Sequence, residues 1–239
     1  MSKPRQLSPW PGSSPVPQYV WYASFGSNLH LARLRYYLAG GRPPGTSRTY
    51  PGARDPADPW ASVAVTLPGE VYFAGESPVW TGGVAFYDPD ATGDAAARAH
   101  LVSVGQFADI VAQEGDRPPG VDLDLAPVVA AGRVRRGPGP YETLVCAGEL
   151  AGRPVFTCTG PWRSTEVAHT APAAGYLRHL AVGLRESHGW AAERIAAYLA
   201  ARPGVAGRWA HEDLLAVADG ELASVPRQAT AATEPTRVS

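Results

Sequence analysis

Residues 20–29 read VWYASFGSNL, an apolar run that passes directly into a small polar turn. Leucines at 31, 34 and 38 follow at helical spacing. Because a change from an apolar run to a period of three to four marks the change from strand to helix, the pattern predicts a strand, a turn at Gly26 to Asn28, and a helix over residues 29–38. The turn is therefore expected at the N-terminus of the helix.

Such a junction leaves backbone N–H groups unpaired, and the helix dipole favours an anion beside them. Asn28 is suited to cap the helix through its side-chain oxygen, and Gly26 tolerates a close ligand approach that a Cβ would block. Two interpretations are open from these residues alone. The turn is an anion-binding site, or it is an ordinary capped connection between a strand and a helix.

The composition predicts one domain with two tails. The chain has 239 residues, 45% of them hydrophobic, which suits one core better than two. Residues 1–18 are rich in Pro and Ser, and residues 223–239 are rich in Ala and Thr. Both segments are predicted to be disordered tails around a domain over residues 19–222.

The charge and the apolar runs exclude several partners. A net charge of −1 argues against nucleic-acid binding, and no apolar run approaches the length of a membrane span. Cys146 and Cys158 lie inside apolar runs and lack metal-site spacing, so we expect buried, reduced thiols. These features predict a cytoplasmic protein without a membrane or nucleic-acid partner, and nothing in them indicates an oligomeric state.

Strands are predicted in the middle of the chain and helices at its end. The predicted strands cover residues 63–67, 71–74, 83–87, 128–134, 141–150 and 154–159, with a hairpin at Ala151-Gly152. The predicted helices cover residues 173–189, 191–201 and 208–218, and residues 101–114 read as a short approach followed by a helix. Without regular βαβ alternation, this order predicts an α+β fold on a mainly antiparallel sheet, and both an open and a closed sheet fit the pattern.

Glu114 occupies an unexpected position in the helix that ends near residue 114. Phe107, Ile110 and Val111 mark the buried stripe, and Glu114 continues it at the next step of three. A desolvated carboxyl group has a raised pKa and suits general acid/base chemistry. The alternative is that the helix has already ended, because Gly115 follows, and that Glu114 only bonds a backbone amide there.

Three segments resemble the γ-glutamyl cyclotransferase superfamily. Residues 22–29, YASFGSNL, are similar to its Y-x-x-Y-G-S-N-L signature, and residues 113–115, QEG, are similar to its Q-E-G segment. Residues 171–176, APAAGY, with the helix that follows, resemble its P-S-x-x-Y segment. The order and spacing of the three make the combination more specific than any one of them.

The resemblance implies a compact β-barrel with flanking helices and an enzyme that releases 5-oxoproline from a small γ-glutamyl substrate. By analogy, Phe25, Gly26, Ser27, Asn28 and Leu29 would hold the substrate, and Tyr176 would close the pocket. Glu114 would move protons between the substrate's α-amine and the leaving amine. No metal or organic cofactor is implied, because attack within one molecule carries a large proximity advantage.

The chain departs from the family pattern at several positions. Phe25 stands where tyrosine is commoner, Ala173 stands where serine is usual, and residues 40–60 form an insertion. These departures keep a second interpretation open, in which the chain is a non-catalytic small-molecule-binding or interaction domain on the same fold.

Other reactive side chains have weaker patterns. Ser27 is a candidate hydrolase nucleophile, but it lacks a G-x-S-x-G context. Cys158 with His169 suggests a thiol nucleophile pair, but the apolar strand around Cys158 favours a buried, inert thiol. His179 and His188 are nine positions apart, which does not present both to one metal ion. Residues 162–166 are either a lid over the pocket, with Trp162 as an aromatic wall and Arg163 as a carboxylate-binding group, or an exposed structural loop.

Overall fold

A computed structural model of the chain describes residues 3–12, 15–44 and 46–221. The strands in this part of the chain are β1 (Arg5–Gln6), β2 (Tyr19–Ser24), β3 (Ala61–Pro68), β4 (Glu70–Ala74), β5 (Val84–Asp88), β6 (Asp94–Ser103), β7 (Arg133–Arg135), β8 (Thr143–Leu150) and β9 (Arg153–Thr159). The helices are α1 (Leu31–Ala39), α2 (Val104–Glu114), α3 (Ala126–Ala131), α4 (Ala174–His188), α5 (Ala192–Ala200) and α6 (His211–Asp219).

Seven of these strands form one mixed sheet in the order β1-β3-β6-β2-β9-β8-β7, and β4 pairs with β5 in a separate ribbon. The sheet is mainly antiparallel, as predicted, with parallel pairing of β1 to β3 and of β2 to β9. Its edge strands β1 and β7 do not pair with each other in the described chain, so the predicted closed barrel is wrong. Helices instead cover both faces of the sheet.

The central strand β2 explains why residues 20–24 read as one apolar run. Val20 and Tyr22 point to the face that packs against α1, α2 and α3, while Trp21 and Ala23 point to the face covered by α4, α5 and α6. A strand buried on both sides has no polar face. The turn at residues 25–29 therefore leaves the middle of the sheet, deep in the molecule.

Most of the predicted elements are present. The expected strands at residues 63–67, 71–74, 83–87, 141–150 and 154–159 correspond to β3, β4, β5, β8 and β9, with the hairpin at Ala151-Gly152. The expected helices after residue 101 and at the end of the chain correspond to α2, α4, α5 and α6. Within the described residues, none of the helices has the length and apolar character required to span a bilayer.

Two segments differ from the prediction. Residues 128–134 were expected to be extended, but α3 occupies the first part, with Pro127 in its first turn and Gly132 in the left-handed conformation at its end. The strand β6 was missed because Ala95, Ala96, Ala97 and Ala99 have low strand propensity. Neighbouring strands on both sides and the helix packing decide its conformation.

The N-terminal tail is only partly as expected. Arg5 and Gln6 pair in parallel with Val65 and Thr66, and Ser8 forms a bridge to Glu149, so the prediction of disorder is wrong for residues 5–8. Backbone hydrogen bonds to a sheet edge hold this segment despite its prolines. The predicted tail at residues 223–239 lies outside the described residues.

Helix α4 packs directly on the turn that follows β2. A Cβ built on Gly183 would lie 2.3 Å from the Cβ of Leu29 and 2.6 Å from the backbone nitrogen of His30. Real contacts of this kind are not that short, so only glycine permits the observed approach. This helix therefore fixes the turn from one side.

We expect Gly183→Ala to lower the free energy of unfolding by about 1–3 kcal/mol, because the added methyl group overpacks the contact between α4 and the turn. Chemical denaturation measures the change. Gly175→Ala in the same helix is the control, since its Cβ would meet only Trp80, at 3.6 Å. Equal stability of the two variants would contradict this packing.

Candidate functional site

A cavity of about 880 Å³ opens beside the turn that follows β2. The sequence-predicted residues that line it are Phe25, Gly26, Ser27, Asn28, Glu114 and Tyr176. Leu29 does not line it, because its side chain is buried at 1% exposure against α4. The structure therefore brings the candidate acid and the turn to one cavity, although they are far apart in sequence.

The Glu114 carboxylate is held by two side chains from other elements. The amide of Asn28 donates to Oε1 at 2.9 Å, and the hydroxyl of Tyr37 donates to Oε2 at 3.0 Å. Glu114 is the last residue of α2 and is half-buried at the cavity wall. The alternative in which it bonds a backbone amide at the helix end is not what the structure shows.

Burial raises the pKa of Glu114 above its ordinary value. The Arg33 guanidinium, the Tyr37 hydrogen bond and Arg48 lower the pKa and offset part of this rise. Both oxygens accept a hydrogen bond while the site disfavours the charged form. A carboxyl group in this balance can exchange a proton closer to neutral pH than an exposed glutamate can.

The turn itself differs from the predicted capped helix start. Residues Ser27–Leu29 form a short 3₁₀ turn, and α1 begins only after His30. The side chain of Asn28 makes no cap and is used on Glu114 instead. The N–H groups of Leu29 and His30 donate to the carbonyls of Gly26 and Ser27, and the Ser27 backbone bonds the Tyr176 hydroxyl, so the amides of the turn left for a ligand are those of Gly26 and Asn28.

His100 on β6 anchors the turn from below. Burial lowers the pKa of His100 to about 3, so its ring is neutral at ordinary pH. The network assigns the tautomer: the Ser62 hydroxyl donates to Nδ1 at 2.8 Å, and Nε2–H donates to the carbonyl of Asn28 at 3.3 Å. This bond fixes the backbone of the residue whose side chain holds Glu114.

Tyr176 closes the other side of the turn. Its hydroxyl accepts from the N–H of Ala85 at 3.1 Å and also bonds the backbone of Ser27. A Cβ on Gly26 would lie 3.0 Å from this oxygen, so glycine permits the approach. Burial raises the pKa of Tyr176, which keeps the hydroxyl protonated.

Sequence reasoning missed Tyr37, Arg33 and the contribution of the insertion. Tyr37 reads as a core residue, but a buried tyrosine needs a partner for its hydroxyl, which was the available signal. Arg33 is 3% exposed, lies over the rings of Tyr37 and Tyr50, and donates to the Tyr50 hydroxyl. Its Nε and Nη1 have no hydrogen-bond partner in the described residues. Residues 47–51 of the insertion also line the cavity.

The other candidate nucleophile and metal ligands do not form the arrangements that their chemistry would need. Burial raises the pKa of the Cys158 thiol well above its ordinary value, and His169 bonds Ser164 rather than Cys158. His179 stacks on His30, while His188 bonds Ser187. Among residues 3–12, 15–44 and 46–221, no group of three or more His, Cys, Asp or Glu side chains is arranged to hold a metal ion.

The segment after β9 contributes one of its two expected side chains. Trp162 lines the cavity, whereas Arg163 is exposed and lies 3.4 Å from Asp90, away from the lining. Trp162 therefore supplies the expected aromatic wall, and Arg163 is not placed to bind a carboxylate in the cavity.

Comparisons with known proteins give a sequence relative and several similar solved structures. No protein-family model matches the chain. The chain is 32% identical over 200 residues to "Histone deacetylase 5" of Arabidopsis thaliana, and the match covers 75% of this chain. It spans only 30% of that relative's length, so the relative's name describes a much longer protein.

The structural neighbours include a γ-glutamyl cyclotransferase. That structure has a TM-score of 0.46 at 14% identity and covers 84% of this chain and 99% of its own. An uncharacterized protein from Homo sapiens has a TM-score of 0.48 at 15% identity, and the match covers 83% of this chain and 99% of the human chain. The first is named for the family that the sequence motifs resemble, but neither likeness assigns an activity to this chain.

The raised pKa of Glu114 predicts a pH dependence of stability. A group that binds its proton more tightly in the folded state stabilises the fold below its unfolded pKa, and this contribution is lost as the pH rises through the folded pKa. The unfolding free energy of the wild type, relative to that of Glu114→Gln, should therefore fall as the pH rises from 4.5, the ordinary value for this group.

The expected slope is about 1.4 kcal/mol per pH unit up to the folded pKa, with a plateau above it. Urea denaturation of both proteins at a series of pH values measures it. A difference that stays constant or increases with pH would show that the carboxyl group is not destabilised by burial.

Proposed function

We propose that this chain is a γ-glutamyl cyclotransferase-like enzyme that cleaves a γ-glutamyl amide and releases 5-oxoproline, with Glu114 as the general acid/base. The observation that carries the proposal is the position of Glu114, held by Asn28 and Tyr37 in the cavity beside the turn. The three sequence motifs support the family, and the raised pKa supports the role.

The proposed reaction needs one group that accepts and then returns a proton. The neutral α-amine of the γ-glutamyl group attacks its own γ-carbonyl carbon, and Glu114 takes the proton that this nitrogen loses. A tetrahedral intermediate forms with the negative charge on the former carbonyl oxygen. When the bond to the outgoing nitrogen breaks, Glu114 gives the proton to that nitrogen, and the amine and 5-oxoproline leave.

The turn and Tyr176 supply the donors that this reaction needs. The early amides of the turn suit the α-carboxylate, and their direction is fixed by His100 below and α4 beside them. The Tyr176 hydroxyl keeps its proton and faces the same turn, so it suits a developing oxyanion or the substrate carbonyl. Holding both ends of the γ-glutamyl group folds it toward a five-membered ring.

A non-catalytic binding domain is the second candidate. Phe25 favours it, because the commoner tyrosine would carry a hydroxyl into the cavity that phenylalanine lacks. Phe25 instead packs on Tyr87, with 5.6 Å between ring centroids. The cavity and its polar floor would then serve recognition without turnover.

We expect the wild type to release 5-oxoproline from at least one member of a panel of γ-glutamyl amides, and Glu114→Gln to lower kcat by about 10²–10⁴-fold. Chromatographic detection of 5-oxoproline measures both. The glutamine keeps the size of the side chain but cannot carry the proton.

Glu212→Gln is the matched control, since Glu212 is an exposed residue of α6 outside the cavity lining. It should keep wild-type activity. Full activity in Glu114→Gln would refute the catalytic role, and binding of γ-glutamyl amides without any turnover would favour the second candidate.

A further inference from the structure

The cavity has two ends of different chemistry. Glu114, Arg33 and the turn form a polar end, where hydrogen-bonding groups converge. A second wall is formed by residues 78–80, 84–86, 141 and 162, all of which are apolar or aromatic, and it meets the turn at Ala85, whose Cβ would lie 3.5 Å from a Cβ built on Gly26. Since the γ-glutamyl group is small and the cavity measures about 880 Å³, a substrate that fills the site must also extend along this second wall.

Aromatic rings in contact with each other build the second wall. Phe86 stacks on Tyr141 with 5.1 Å between centroids, and Trp162 meets Phe86 edge-on at 5.7 Å. Trp80 adjoins Tyr176, with 6.4 Å between their centroids. Trp80, Tyr141 and Trp162 are each half-buried, so their rings remain partly open to the cavity.

The backbone holds the two tryptophans in place. The Ser77 hydroxyl accepts from the N–H groups of Val79 and Trp80 at 3.1 and 3.0 Å, which fixes the turn that carries Trp80. Trp162 packs over Gly160, where a Cβ would lie 2.5 Å from the ring. The backbone carbonyl of Trp162 accepts from the Tyr72 hydroxyl at 3.2 Å. The aromatic wall is therefore preorganised before a ligand arrives.

Of the three arginines that line the cavity, Arg48 and Arg117 have acidic partners, and Arg33 lies at the polar end. Arg48 lies 3.2 Å from Asp116 and donates to the carbonyl of Gln113 at 2.9 Å, and Arg117 lies 2.7 Å from Glu142. Arg33 is enclosed by two tyrosine rings at the polar end. A carboxylate on the leaving amine would thus lose water along the aromatic wall without gaining a cation there.

We propose that the leaving amine of the substrate carries an uncharged aromatic or large apolar group, which packs on the wall formed by Trp80, Phe86, Tyr141 and Trp162. This inference rests on the proposed function for the γ-glutamyl end. It excludes α-amino acids as preferred leaving amines, because these keep a carboxylate on the carbon next to the scissile nitrogen.

Two substrates that differ in a single group test the proposal. γ-Glutamyl-phenylethylamide and γ-glutamyl-phenylalanine share the same ring, and only the second carries a carboxylate on the leaving amine. We expect kcat/KM for 5-oxoproline release to be at least about tenfold higher for the amide without the carboxylate. Calorimetry with Glu114→Gln measures binding of the same two compounds without turnover. The phenylethylamide should again be preferred, with the lower Kd.

Variants test the wall itself. γ-Glutamyl-methylamide lacks the ring, and Trp80→Ala should reduce the preference for the phenylethylamide over it by about tenfold, because the variant loses an aromatic contact. Trp60→Ala is the control, since Trp60 is 73% exposed and lies outside the cavity lining. It should leave the preference unchanged.

Different results would overturn the proposed function and the proposed class of leaving amine. Absence of 5-oxoproline from every compound, with aromatic preference in binding retained, would overturn the proposed function and leave the ligand class standing. Equal or tighter binding and faster turnover of γ-glutamyl-phenylalanine would overturn the ligand class. So would an unchanged preference in Trp80→Ala.

Discussion

The two hydrogen bonds on the Glu114 carboxylate connect three parts of the molecule. They join the end of α2 to the turn after β2 and to α1, across sequence separations of 86 and 77 residues. A half-buried carboxylate without donors would be strongly destabilising, so the position of these donors is a condition for the fold as well as for the site. The sheet supplies that position, because β2 carries the turn and β6 leads into α2 beside it.

Different residues set the pKa of Glu114 and hold the turn beside it. Burial raises the pKa of Glu114, while Arg33 and the Tyr37 hydrogen bond lower it and offset part of the rise. His100 and Gly183 fix the turn without touching the cavity themselves. The aromatic wall adjoins this polar network, because the Tyr141 hydroxyl donates to the carbonyl of Ala85 and the N–H of Ala85 donates to the Tyr176 hydroxyl.

The sequence predicts the parts of this structure that depend on local pattern. The strand and turn at residues 20–29, the helix that ends at Glu114 and the three C-terminal helices follow from periodicity. The strand β6 does not, because its alanines favour a strand only through neighbours that are distant in sequence. Sheet closure is also a global property, and the open sheet became clear only from the strand order.

The site was predictable to a similar extent. A glutamate on an apolar stripe indicated the acid, and a strand-to-turn junction indicated the ligand end. Tyr37 and Arg33 looked like ordinary residues of an amphipathic helix, and the cavity role of residues 47–51 had no motif. Trp80 and Phe86 form a wall only because the ribbon of β4 and β5 folds over the cavity, which is a long-range contact that pattern analysis does not reach.

A crystal structure with 5-oxoproline bound tests the central claim most directly, since this claim places one ligand between the turn and Glu114. We expect the ligand's carboxylate within hydrogen-bonding distance of the early amides of the turn and its ring nitrogen beside Glu114. A ligand bound elsewhere, or bound with its carboxylate turned away from residues 25–28, would contradict the account.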